Sequence, residues 1–336
     1  MKFKKLLTGL AACLMATTLF AGCNSGGDKG GDDTKKPAAT PSAKIELKGE
    51  PTATFQFAKK TAKIYQLDEP AADKDFNFEG QRIVYAGDSI YIHGEASDGK
   101  GGDVQGLYKL PLKDNKITGR ELVAESDGSD GDYRNLAVSR GNVLFKLKEN
   151  DKLAIYNGKS VDKSDSRWKD DYDSMVGFVE GAELLMVRDT DTICVGTQEL
   201  SDITGVKVIA EDVQEKQNLE GGAMRPVYAD INELFVSSPT SFDDFKTVLL
   251  SFDKNGKLIH RYEGVGAWDW AVTKNYVLQA GDDAMVIYDR ASGEKLYDSK
   301  VRDFAPQYLY SLGGDMVLAY GRDDRLDEKF FVLNLE

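Results

Sequence analysis

The chain has 336 residues, 41% of them hydrophobic, and a formal net charge of −13. That length suits one large all-β domain, and a surface this acidic repels nucleic acid and anionic lipid headgroups, which argues against both as partners of the folded part. Cysteines are Cys13, Cys23 and Cys194, too few for a disulfide framework.

Residues 1–22 have the three parts of an export signal. Lys2, Lys4 and Lys5 form a basic end, residues 6–20 are apolar but short for a bilayer span, and the small residues Ala21 and Gly22 precede Cys23. The run Leu19-Phe20-Ala21-Gly22-Cys23 resembles the lipobox of bacterial lipoproteins, with Phe20 where that family usually carries Leu. The resemblance implies cleavage before Cys23 and a diacylglycerol on its thiol. Two or more acyl chains on one residue give lasting membrane attachment. The alternative is an ordinary secretory signal cut nearby. Loss of residues 1–22 takes the net charge to −16.

Residues 24–44 are Gly, Ser, Thr, Asp, Lys, Pro, Asn and Ala throughout. Such a stretch buries no core and is expected to be a solvated tether, about 25 Å in root-mean-square reach. The expected organisation is a signal over 1–22, the lipidated cysteine and tether over 23–50, and the folded domain over 51–336. The expected address is outside the cytoplasm on the cell membrane. The alternative is the periplasmic face of an outer membrane, because Asn24 is not the Asp that resembles an inner-membrane retention signal.

After the tether, residues 52–58 alternate weakly, and 63–67 (Lys-Ile-Tyr-Gln-Leu) make a better strand. Four-strand units then follow. The clearest spans 268–300: strands at 268–272, 276–280, 284–289 and 294–298 are cut by Gly, Asp and Asn turns, the pattern of an antiparallel meander. A polar residue ahead of an apolar run marks the second strand of each unit, at Asp88, Asn142, Glu183, Glu233, Asn275 and Asp315. Successive spacings are 54, 41, 50, 42 and 40 residues, the longer two carrying expected loop insertions at 95–105 and 238–245. A period near 40–45 residues is the β-propeller signature. Third strands are expected at 107–112, 152–156, 192–196, 247–252, 284–289 and 330–335. The sixth unit runs out of chain before its fourth strand, while 63–67 is a spare one, so the N-terminal strand is expected to close a ring of about six blades and remove its free edge. A seventh, degenerate blade built on 52–58 is the alternative.

Two units, Met285-Val-Ile-Tyr-Asp-Arg-Ala-Ser-Gly-Glu-Lys-Leu and Leu249-Leu-Ser-Phe-Asp-Lys-Asn-Gly-Lys-Leu, share an apolar-x-Tyr/Phe-Asp step, a Gly turn and Lys-Leu. They resemble the repeat of quinoprotein-like propellers, with Tyr297 and His260 in place of the Trp usual after the Gly turn. The resemblance, like that to WD40-like propellers in general, implies fold more than activity.

No catalytic signature stands out. Cys194 sits in an apolar run and reads as a buried, inert thiol, with His93 and His260 in strand-like runs rather than beside it. Asp127, Asp130 and Asp132 could form a weak Ca2+ loop, but the EF-hand positions fail, with Asp132 at the sixth and Val138 at the twelfth. No other cofactor is expected. Alternation puts Trp268 and Trp270 on one face and Asp269 on the other, which reads as blade packing.

Propellers bind at the channel mouth, on the loops entering each first strand. Those loops offer Gln81, Arg82, Tyr133, Arg134, Asp171, Tyr172, Arg225, Trp268, Asp269 and Tyr308. Aromatic and Arg side chains are the types enriched at binding hot spots, so Tyr133, Arg134, Tyr172, Arg225, Trp268 and Tyr308 are the expected site. The expected role is a monomeric, non-catalytic binding or scaffolding propeller for a protein or carbohydrate partner. The alternative is a secreted carbohydrate- or quinone-directed enzyme, which two carboxylates facing each other over the channel would reveal.

Overall fold

The computed structural model describes residues 45–69, 76–97, 102–125, 136–146, 153–163, 174–177, 183–199, 202–241, 246–266, 269–281, 284–301, 304–322 and 327–336. Residues 1–44, which hold the expected signal, Cys23 and most of the expected tether, lie outside them, whereas Ile45 of that expected tether is buried in the core with Leu47 packed against it.

The strands fall into six antiparallel sheets. An N-terminal hairpin comes first, β1 (Ala53–Phe57) and β2 (Lys60–Gln66). Blade one holds β3 (Phe76–Ala86), β4 (Ser89–Ser97), β5 (Asp103–Lys113), β6 (Lys116–Ile117) and β7 (Glu121–Glu125). Blade two holds β8 (Ala137–Ser139), β9 (Asn142–Lys146), β10 (Leu153–Tyr156) and β11 (Val161–Lys163). Blade three holds β12 (Ser174–Gly177), β13 (Glu183–Arg188), β14 (Thr192–Glu199) and β15 (Asp202–Ala210), followed by the short helix α1 (Val213–Lys216). Blade four is β16 (Arg225–Ala229), β17 (Glu233–Pro239), β18 (Thr247–Asp253) and β19 (Leu258–Glu263). Blade five is β20 (Trp270–Val272), β21 (Tyr276–Ala280), β22 (Met285–Asp289) and β23 (Lys295–Ser299). Blade six joins β24 (Ala305–Gly313), β25 (Met316–Arg322) and β26 (Glu328–Asn334) to the N-terminal hairpin, in the order β1-β2-β26-β25-β24.

The first strands of the six blades touch in a closed cycle, β3 to β8, β12, β16, β20, β24 and back to β3. This is a six-bladed β-propeller. Six apolar clusters fill its six blade-to-blade interfaces. Each middle strand feeds two of them, because successive side chains point to opposite faces. Along β13, Leu184 and Met186 pack toward blade two while Leu185 and Val187 pack toward blade four. Both faces being buried, these strands read as solid apolar runs instead of alternating ones. Cys194 lies in the interface between blades two and three, buried, with its thiol pushed up by that burial.

The N-terminal strand closes the ring, as its position in the chain suggested. Lys63 pairs Asn334 and Gln66 pairs Phe331 across β2 and β26, and the Leu67 amide donates to the Phe330 carbonyl at 2.8 Å. The seven-blade alternative is overturned. Residues 53–57 form β1, a fifth strand outside β2, whose Phe57 and Phe55 pack on blades five and six. The insertion expected at 95–105 is in part strand, since β4 and β5 extend as a paired hairpin from Glu95↔Gln105 to Ser97↔Asp103. Likewise Ser238 and Pro239 belong to β17. Polar residues on these outer hairpin ends hid the pairing.

Blade contacts are reinforced by polar clasps at the turns between first and second strands. Arg290, just after β22, donates to Asp230 at 2.5 Å and Glu233 at 3.2 Å in blade four, and to the Thr273 carbonyl at 3.1 Å. Its guanidinium also lies 5.0 Å from the Phe235 ring centre. Asp315 of blade six accepts from the Thr273 hydroxyl (2.9 Å), the Asn275 amide (2.9 Å) and the Asn275 side chain (2.6 Å).

Ile64, 1% exposed, is the apolar anchor of the closing strand. Ile64→Ala is expected to cost roughly 2–4 kcal/mol, read as a lower denaturant midpoint in equilibrium unfolding; an unchanged midpoint would show that β2 does not hold the ring.

His93 in β4 is 1% exposed, and burial lowers its imidazole from 6.5 to about 4. Between those values the unfolded chain takes a proton that the folded chain refuses, so stability falls as pH drops through that window, by about 3 kcal/mol in all. His93→Gln should flatten this part of the pH profile of the urea midpoint relative to wild type, and parallel profiles would contradict it.

Candidate functional site

Three first strands are irregular at the same end of the channel. In β3 the pairing jumps from Phe78↔Gly94 to Ile83↔Ile92, leaving Arg82 within the bulge. In β16 it jumps between Pro226 and Tyr228, and in β24 between Pro306 and Tyr308, leaving Val227 and Gln307 extra. Proline cannot donate to a ladder and sits at bulges, and a bulge re-aims side chains. The repeated Pro226-Val227-Tyr228 and Pro306-Gln307-Tyr308 steps are therefore a local cause of this geometry.

Arg82 crosses the channel. Its Nη2 donates to the Pro226 carbonyl of blade four at 2.6 Å, and Nη1 reaches the Leu136 carbonyl of blade two at 3.5 Å. Asp269 ties blades five and six: its amide donates to the Gln307 carbonyl at 3.2 Å, and its carboxylate accepts from the Trp270 amide (3.1 Å) and the Leu309 amide (3.4 Å). Burial pushes the Asp269 carboxyl up, opposed by Arg82, by the Leu309 amide, by Arg225 and by the Trp270 amide. Burial lowers the Arg82 guanidinium, with Asp269 opposing and Arg225 adding to the fall. Tyr308 is raised by burial, with Asp269 acting in the same sense and Arg225 against it. Tyr310 is pushed up to about 12 by burial and donates to the Tyr85 carbonyl at 3.4 Å.

Arg82, Tyr228, Asp269, Tyr310 and Ser311 line a cavity of about 40 Å³ with Ile83, Val84, Val227, Trp270 and Leu309. That volume holds a few waters, far less than the several hundred Å³ of a pocket for a drug-sized ligand. Among the described residues lining it, Asp269 supplies the one carboxylate, so the paired acids of a glycosidase are not found there. A larger groove, about 550 Å³, lies on the outside between blades three and four, lined by Val208, Ile209, Val213, Phe252 and Leu258 among others.

Of the expected site residues, Arg225 and Tyr308 fall at this end of the channel, where Arg225 acts electrostatically on Asp269 and Asp269 on Tyr308. Tyr133, Arg134, Tyr172 and Trp268 lie outside the described residues, as do Asp171 and the acidic run Asp127, Asp130 and Asp132. Arg82 and Asp269, offered by the same loops in sequence, join the cavity. Tyr228 and Tyr310 were not foreseen, although the repeated Pro-x-Tyr step marks the first of them. Trp270 is buried between blades four and five, as blade packing required. Among the described residues, no group of three or more His, Cys, Asp or Glu is placed to hold a metal ion. None of their helices is long and apolar enough to cross a membrane.

No family model matches the chain, and no curated protein matches it. Among solved structures it is similar to the CNH domain of AfRom2, at 10% identity and a TM-score of 0.42, over 81% of this chain and 99% of that one. It is also similar to the N-terminal domain of Nup159, at 10% identity and a TM-score of 0.40, over 75% of each chain.

Arg82→Met would leave the Pro226 carbonyl without its charged donor. We expect a loss of roughly 1.5–3 kcal/mol, measured by equilibrium unfolding; a variant as stable as wild type would show that the cross-channel bond carries no net stability.

Proposed function

We propose that this chain is a lipid-anchored, extracytoplasmic propeller that binds a partner at its channel mouth, without catalysis of its own. The observation that carries this reading is the cavity at one end of the channel lined by Arg82 and Asp269, too small for a sugar or quinone, with Arg225 and Tyr308 near enough to interact electrostatically with Asp269. Arg and Tyr combine large contact area with polar tips and dominate binding energies at protein surfaces. A rigid ring supplies a preorganised surface, which lowers the entropic cost of association. The tether and the lipobox-like run ending at Cys23 supply the membrane attachment. Fold alone does not prove this role, so the support comes from the site's residue types and its size.

Two measurements test the reading. Cys23→Ser is expected to move the protein from the membrane fraction to the soluble one or to stall its processing, and a variant that remains membrane-bound after full processing would remove the lipid anchor from this account. For the binding surface, cross-linked capture from membranes is compared for wild type, Arg225→Ala and Tyr308→Ala. Loss of captured partners by at least several-fold in both variants is expected; equal recovery would show that the mouth is not the binding surface.

A further inference from the structure

The outside of the ring carries a second site, separate from the channel mouth. We propose that the groove between blades three and four binds a short extended peptide of a partner protein, one with two apolar side chains two residues apart and basic residues beside them.

The chain already fills one of its own seams with a peptide of this kind. Between blades six and one, β5 turns into β6 over Asp114 and Asn115, and Leu112 pairs Ile117 ahead of that turn. Residues 45–48, Ile-Glu-Leu-Lys, dock there. Ile45 is buried in one cluster with Leu67, Leu112 and Ile117, and Leu47 packs against it, while Glu46 and Lys48 are exposed. This alternation is that of an extended segment. The turn reads the segment's backbone. The Lys48 amide donates to Asn115 Oδ1 at 3.3 Å, and Asn115 Nδ2 donates to the Lys48 carbonyl at 2.6 Å. Lys48 also forms an ion pair with Asp114.

The same parts recur between blades three and four. Phe252 pairs Leu258 ahead of the turn at 253–257, which carries the exposed Asn255. In both seams the fourth strand of the preceding blade runs out against the turn. The Asp68 amide donates to the Asn115 carbonyl at 2.9 Å, and a Cβ on Gly256 would collide with the Ile209 carbonyl oxygen. The difference is in what is covered. Ile117 is 2% exposed in its cluster with Ile45, whereas Leu258 is only half-buried, in the wall of a groove of about 550 Å³ that Ile209, Val213 and Phe252 also line. That volume is in the range of a ligand pocket. Main-chain bonds to a turn give such a peptide affinity, and pockets for alternate side chains give it specificity. Charge selects its flanks. Glu211 lines the groove, and Lys216, the other charged lining residue, is held by the Glu211 carbonyl at 2.7 Å and by Asp212 at 3.8 Å. The chain's net charge of −13 draws a basic peptide to this surface. Residues 45–48 are engaged in their own seam, so the occupant comes from another chain.

The test titrates the full chain into a fluorescein-labelled peptide that copies residues 43–49, Ala-Lys-Ile-Glu-Leu-Lys-Gly, and follows its fluorescence anisotropy. Saturable binding is expected in wild type. Serine at both apolar places of the peptide should weaken it at least tenfold, and Leu258→Ser in the protein should do the same. Asn255→Ala changes an exposed turn residue and should weaken binding several-fold. Asn115→Ala should not weaken it, because that side chain serves the other seam. Far-UV circular dichroism and the thermal midpoint confirm that each variant is folded. Non-saturable binding in wild type, equal binding of the serine peptide, or wild-type affinity in both Leu258→Ser and Asn255→Ala would each overturn the proposal. Binding lost in Asn115→Ala and kept in Leu258→Ser would overturn it as well, by showing that the peptide displaces residues 45–48 from their own seam. A wild-type dimer in sedimentation velocity that the peptide dissociates would assign the groove to a second copy of this chain and overturn the partner.

Discussion

Everything in this fold depends on burying both faces of every blade. A four-stranded sheet whose middle strands are apolar on both sides cannot face water on either, so each blade needs two neighbours. Leu184 to Val187 in β13 and Val277 to Ala280 in β21 are buried without a break. Six such sheets satisfy one another only in a closed ring, and the last blade combines β24, β25 and β26 with the N-terminal hairpin. Pairing of β2 with β26 brings the fourth strand of that blade from the far end of the sequence. Contacts this distant in sequence are slow to form, because loop closure must precede the reward. The closing strand is itself paired with β1 on its outer edge.

Polar clasps then fix how blades sit against each other, which apolar packing alone leaves loose. The quinoprotein-like units show how a short repeat does two tasks. Asp253 accepts from the Asn255 and Lys257 amides, and Asp289 from the Ser292 amide and hydroxyl, so each holds its own turn. Gly256 and Gly293 take positive φ, +82° and +72°, where a side chain would be strained. The next residue after each Asp faces the preceding blade. Arg290 bonds Asp230 and Glu233, and Lys254 feels the charges of Glu183 and Asp230. Around Arg290 the repeat is thus a turn and an inter-blade clasp in one stretch.

Fold was legible in the sequence because its cause is local and repeated. Asn142, Glu183, Glu233 and Met316's neighbour Asp315 each stand at the turn into a buried strand. What misled was also physical. Residues 53–57 carry the half-buried alternation of an outermost strand, which resembles a poor blade as easily as an extra edge. Strand pairing at Glu95 and Gln105 was hidden because the paired residues there are polar and only half-buried. Helix α1 is only four residues long, too short to leave a periodic signal.

The site was less legible, and for a different reason. Residue types could be read from the loops, as Arg225 and Tyr308 illustrate, but convergence could not. Arg82 meets the Pro226 carbonyl across the axis because a bulge in β3 turns it inward while another opens β16. Proline in a first strand is the one local trace of this. Pro226 and Pro306 occupy matching places two residues before Tyr228 and Tyr308, and neither can extend the ladder. Where the ladder lapses, the strand ends hold charge: Arg225 begins β16 and Asp269 precedes β20. At the other end of the same strands the ladder runs on into turns, and charges such as Arg290 and Asp230 are matched to each other. Charges at both ends thus hold blades together, Arg290 on Asp230 and Glu233 at the clasped end and Arg82 on the Pro226 carbonyl with Asp269 on the Leu309 amide at the other. What sets the mouth apart from the clasped end is that its contacts surround a small cavity lined by Arg82, Tyr228, Asp269 and Tyr310.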